Sequence, residues 1–149
     1  MSQSKVNYTL FEENEGVPEN ILVQKGRKVG VLSLLTGKQH PTLQAMAEEH
    51  AAYQARVGKQ GHQLWAERVK RLMADMQDCN SFRECAAESW PGQNEEESAE
   101  DAYKCWRQSP GHWSAINGSC SFWGYAMAYN GRQKIWYSCA VFADLMNRG

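Results

Sequence analysis

Apolar residues recur at helical spacing in three stretches of the chain and alternate at strand spacing in a fourth. Leu43, Ala47, His50, Gln54 and Val57 fall on one face of a helix predicted over 41–57, with Gly58 as its stop. Trp65, Val69, Leu72, Met73 and Met76 form a second stripe that ends before the polar residues 77–80. Residues 91–98, Pro-Gly-Gln-Asn-Glu-Glu-Glu-Ser, read as an exposed acidic loop, because adjacent glutamates lack the alternating spacing of a calcium loop. Ser98, with Asp101 three residues on, resembles a capping box. It predicts a third helix with Ala99, Ala102, Tyr103 and Trp106 on its apolar face and Ser109-Pro110-Gly111 as its end.

From Phe122 the period becomes two. Trp123, Tyr125, Met127 and Tyr129 oppose Phe122, Gly124, Ala126 and Ala128, and alternation resumes over 135–142 after Asn130-Gly131, a dipeptide suited to a tight hairpin turn. Helices followed by antiparallel strands predict a layered α/β fold in which helices cover a small sheet. Residues 1–39 show no clear helical period: an acidic start (Glu12, Glu13, Glu15, Glu19) leads to basic Lys25–Lys28 and a β-leaning run at Val29. They read as an N-terminal arm with one strand, either a tail or a segment that attaches the domain of residues 40–149 to a larger assembly.

Composition narrows the classes. The 149 residues suffice for one domain with its own core, and a net charge of -1 supplies no long-range field toward nucleic acid or an anionic membrane. The longest apolar run, Val29 to Leu35, is broken by Gly30 and Ser33 and is far too short to span a bilayer; no signal peptide is evident. Cys79, Cys85, Cys105, Cys120 and Cys139 contain no C-x-x-C pair, and their odd number leaves at least one thiol free or paired with another chain. Cys120 with Cys139 is the expected bridge.

Three strings resemble the CAP superfamily, the cysteine-rich secretory, antigen 5 and pathogenesis-related proteins, in particular its bacterial branch. Residues 98–116, with Trp106 and the sequence Ser109-Pro110-Gly111-His112, are similar to the family's helix and its Ser-Pro-Gly-His signature. Trp123 to Ala128 and Ile135-Trp136-Tyr137 sit where the family's closing hairpin falls, and residues 43–63 resemble its helix followed by a loop histidine. The resemblance spans about residues 40–142. It implies an α-β-α sandwich and a cleft containing His62, His112 and Glu88, the last from aligning Ala87-Glu88-Ser89-Trp90 with the family's Gly-Glu-Asn string; Glu84 competes for that place. The second acidic position of the family's cleft is Ser109 here. Trp90 and Trp113 would rim the cleft.

If His62 and His112 converge, two imidazoles and water would hold Zn²⁺ or another divalent cation weakly, with Glu88 orienting a ring or polarising a water. Spacing alone would not identify a metal site. His62 at the start of a helix and His112 after a Pro-Gly turn also have plain structural readings. His50 reads as a satisfied core histidine and His40 as a boundary residue. Ser109 beside His112 lacks a G-x-S-x-G elbow, and Cys105 lies within a helix rather than at an electropositive helix start, so neither predicts a nucleophile. The resemblance therefore implies a non-enzymatic binding module for a metal, a lipid-like ligand or a protein partner, in an extracellular or particle-associated setting. The alternatives are a metal-assisted hydrolase using Glu88, His112 and His62, and a structural accessory of an extracellular or viral particle docked through residues 1–39.

Overall fold

The computed structural model describes residues 18–146. Its chain order is α1 (Ile21–Val29), α2 (Leu32–Thr36), β1 (Lys38–Gln39), α3 (Pro41–Val57), α4 (Trp65–Asp75), β2 (Cys79–Glu88), α5 (Glu95–Arg107), α6 (Pro110–Ile116), β3 (Phe122–Asn130) and β4 (Ile135–Leu145). The strands form one sheet in the order β1-β3-β4-β2; β4 pairs antiparallel with both β3 and β2, and β1 runs parallel to β3. The sheet is therefore mixed rather than purely antiparallel.

Helices cover both faces, which makes the molecule an α/β sandwich. On one face α1, α2, α5 and α6 pack Leu22, Val31, Leu34, Tyr103, Trp106 and Ile116 against Trp123, Tyr125, Phe142 and Cys85. On the other, α3 and α4 pack Leu43, Met46, Ala47, Ala51 and Leu72 against Ala126, Cys139, Val141 and Ala143. Gly124 lets α3 lie close on β3, since a Cβ there would collide with the backbone of Leu43.

Local chemistry sets the helix ends. Pro41 occupies the first turn of α3 and His40 caps it, Nδ1 accepting from the Thr42 N–H at 3.1 Å, while Gly58 closes the helix in the left-handed conformation (φ 73°). Helix α5 starts at Glu95, three residues before the expected Ser98, because Asn94 and Glu97 form the true capping box. The three glutamates thus belong to the first turn of a helix, where they face its positive end. Ser109 and Pro110 end α5 as expected but also begin α6, which places His112 within a helix.

Residues 21–39 correct the expected arm. Asn20 caps α1, its side chain accepting from the Val23 N–H at 2.9 Å, and Leu22, Val23, Val31 and Leu34 enter the core. The part of the segment that the structure describes belongs to the domain; residues 1–17 lie outside the described residues. The run at Val29 forms no strand, because Gly30 in the left-handed conformation separates two short helices. The hairpin turn is also longer than a two-residue loop. Ile135 pairs with Asn130, residues 131–134 make the connection, and the positive φ falls on Lys134 (61°) rather than Gly131. All five cysteines are free thiols, and the expected Cys120–Cys139 bridge is blocked because the two side chains belong to cores on opposite faces of the sheet.

Candidate functional site

The densest polar chemistry of the fold lies beneath the loop joining α3 to α4, against edge strand β2. Glu84 points from β2 into the α3–α4 layer, where its side chain is 1% exposed. Arg68 of α4 grips it with two guanidinium nitrogens, Nη2 donating to Oε1 at 2.9 Å and Nη1 to Oε2. The Cys139 thiol lies 3.5 Å from Oε2. His62, on the loop, donates from Nδ1 to Oε1 at 2.9 Å with its own side chain 46% exposed.

Buried side chains hold that loop in place. His50 of α3 donates from Nε2 to the Gly61 carbonyl at 2.6 Å, and Gln54 Oε1 accepts the Gly61 N–H at 3.0 Å. Arg68 Nε donates to the Gln63 carbonyl at 3.0 Å. Three buried polar residues thus fix the backbone on either side of His62, and a fourth fixes its ring. Because a carboxylate can only accept, Nδ1 carries the proton and the lone pair of a neutral His62 sits on Nε2, the nitrogen not bound to Glu84.

Electrostatics favour the ionised form of Glu84. Burial would raise the Glu84 pKa, but hydrogen bonds from His62 and Arg68 and the Arg68 charge outweigh it and hold the group below its ordinary value. Burial lowers the His50 pKa and keeps that ring neutral. The bidentate grip also occupies both Glu84 oxygens, so this carboxylate orients rather than coordinates.

His112 sits on α6, across the edge strand. Its backbone carbonyl lies 3.7 Å from the Sγ of Cys85, the neighbour of Glu84 that faces the opposite side of β2. Burial, and next the charge of His62, hold its pKa low. No hydrogen bond joins them, and the buried Nδ1 of His112 has no hydrogen-bond partner among the described residues.

Glu88 does not share this cluster. It closes β2 as an exposed residue opposite Tyr137, four positions and about 13 Å along the strand from Glu84, the glutamate that meets His62. Ser109 starts α6 without a side-chain cap. Trp113 packs partly buried on the core beneath Arg107, whose guanidinium lies 4.9 Å from the ring centroid, and Trp90 is 73% exposed beyond the end of β2. Among the described residues, no hydrogen bond or ring contact joins either tryptophan to the His62–Glu84 pair. Among the described residues, no group of three or more His, Cys, Asp or Glu is arranged to hold a metal ion.

Arg68 escaped sequence reasoning because a charged residue in an amphipathic helix ordinarily marks the solvated face. The available signal was its position one residue before Val69, on the stripe that includes Leu72.

No family model and no curated protein matches the chain. A solved structure, that of an outer surface protein from Borrelia burgdorferi, is similar over 98% of this chain and 97% of that one, with a TM-score of 0.60 and 18% sequence identity. At that identity the likeness is one of fold.

Proposed function

We propose that this chain is a non-enzymatic binding module of the CAP kind, in which His62 presents Nε2 to a ligand at the β2 edge and His112 supplies the second imidazole. The observation that carries the reading is the Glu84–His62 hydrogen bond at 2.9 Å, made by a fully buried carboxylate to a half-exposed ring. Burying a carboxylate and an arginine together is costly and adds little net stability over an apolar core, which favours a role in orienting the ring. The ligand proposed is a divalent cation such as Zn²⁺ at low affinity: two imidazoles would be the protein ligands, and Glu84 would fix the tautomer of one of them. The name of the structural neighbour, an outer surface protein, favours an extracellular or particle-associated setting.

A hydrolytic reading is weaker. Both oxygens of Glu84 are committed to Arg68, so the buried carboxylate is poorly placed to shuttle a proton, and Glu88 stands apart. Titration calorimetry with Zn²⁺ tests the proposal. Wild type should show saturable heat that His62→Ala abolishes and Glu84→Gln weakens, with folding intact by circular dichroism. Heat unchanged in His62→Ala would end the reading. Sustained turnover of peptide or ester libraries that disappears in a Glu84→Gln, His112→Ala double variant would replace it with the hydrolase.

A further inference from the structure

Three large apolar side chains that the fold leaves in solvent stand within seven residues of one another: Val29 (45% exposed), Leu32 (43%) and Leu35 (61%). Their three-residue spacing puts Leu32 and Leu35 on one face of α2. Other exposed apolar residues, such as Val57, Met73 and Tyr129, come singly from separate elements, as is ordinary for a protein surface, and Leu145 with Met146 lies at the end of the described chain.

Val29 also lines a cavity of about 400 Å³ between α1 and α5, walled by Lys25, Lys28, Glu100, Tyr103, Lys104 and Arg107. Lys25 is neutralised there, its Nζ lying 3.0 Å from both Glu96 and Glu100. The other three cations are less fully neutralised. Lys104 lies 3.9 Å from Asp101 with an exposed side chain, Arg107 stacks on Trp113, and Lys28 makes no ion pair among the described residues. Basic residues in the last turn of a helix are expected from its dipole. Exposed aliphatic residues following them in the chain are not, and a cation-lined cavity with Val29 in its wall and exposed Leu32 and Leu35 on the next helix matches the groups a lipid surface meets.

From this juxtaposition we propose that the α1–α2 corner docks on an anionic lipid bilayer. A lipid phosphate sits in the cavity against Lys28, Lys104 and Arg107, and Val29, Leu32 and Leu35 enter the boundary between headgroups and acyl chains. The contact proposed is peripheral; no helix among the described residues is long and apolar enough to cross a membrane. With a net charge of -1 the whole chain exerts no long-range pull, so the attraction is short-ranged and sensitive to salt. The surface shares no residue with the His62–Glu84 pair, so its test is independent of zinc binding.

The experiment is flotation of the full chain with phosphatidylcholine vesicles, with or without phosphatidylglycerol. Wild type should float only with the anionic vesicles, and salt should release it. Lys28→Glu and Arg107→Glu should each weaken partitioning by about fivefold or more, the factor for one juxtamembrane cation. Leu35→Asp should weaken it without altering the cavity, whereas Lys59→Glu, at the distant α3–α4 loop, should not. All four positions are exposed, and circular dichroism confirms that the variants fold. Absence of flotation, equal flotation on neutral vesicles, or indifference to Leu35→Asp overturns the proposal. Binding of inorganic phosphate in the cavity, seen by NMR shifts of α5 amides, without flotation overturns it in favour of a soluble-anion site.

Discussion

The two faces of the sheet solve the problem of burial with different materials. The face beneath α1, α2, α5 and α6 is aromatic: Tyr103 with Trp106, Trp123 with Tyr125, and Tyr125 with Phe142 meet edge to face at 5.4–5.6 Å. Several of their polar atoms are satisfied locally, the Trp106 indole donating to the Ala86 carbonyl, the Tyr103 hydroxyl to the Leu22 carbonyl, and the Tyr125 hydroxyl meeting Ser33. The face beneath α3 and α4 is built of small aliphatics and gives part of its interior to His50, Gln54, Arg68 and Glu84. One face stabilises by area and close packing. The other spends buried volume on holding one partly exposed imidazole.

The largest effects should come from breaking each face by its own mechanism. Trp106→Ala removes a fully buried ring and should cost about 3–5 kcal/mol in denaturant unfolding. Arg68→Ala should cost a similar amount, about 3–5 kcal/mol, because it strands the Glu84 carboxylate. The cases separate in a second step. Glu84→Gln placed on Arg68→Ala removes the stranded charge and should recover part of the loss, while nothing comparable repairs the cavity left by Trp106. Failure of that partial rescue would show that Arg68 stabilises through packing alone.

Acid should act in two stages. Burial holds the His50 pKa below its ordinary 6.5, and those of His40 and His112 likewise, so below that pH the unfolded chain takes up protons that the folded chain refuses. Stability is therefore full above pH 6.5 and declines as pH falls. Glu84, held below its ordinary 4.5, adds a further loss as pH drops below that value and its ion pair is titrated. Thermal unfolding across pH should trace both stages, and His50→Gln should shrink the first while leaving the second. A melting temperature flat from pH 7 to 5 would contradict the burial of neutral imidazoles.

The smallest effect on folding sharpens the contrast most. His62→Ala removes a half-exposed side chain and should change unfolding free energy by about 0.5 kcal/mol or less. A loss of several kcal/mol would mean that the ring is a structural member of the polar face rather than its product.

Periodicity in the chain reaches some elements and misses others for identifiable reasons. Helix α3 is legible to the residue because Gly58 and a continuous apolar stripe bracket it, and α4 and the β3–β4 hairpin follow from their repeats. Strand β2 carries Asn80, Ser81, Arg83 and Glu84 among its residues, and a register shift between Asn80 and Arg83 breaks its alternation, so no period announces it. Helices α1 and α2, of nine and five residues, are too short to repeat a pattern, and their basic residues give the impression of an arm.

For the site, sequence by itself supplied the loop histidine, the Ser-Pro-Gly-His string and two competing glutamates, since these are local strings of residue types. Tertiary structure alone decided between Glu84 and Glu88. Both point to the same face of β2, and only the position of α4, which carries Arg68 over one and not the other, makes Glu84 the buried partner of His62. Residues 50, 54, 62, 68 and 84 meet through the packing of two helices on an edge strand, an arrangement that no local spacing encodes.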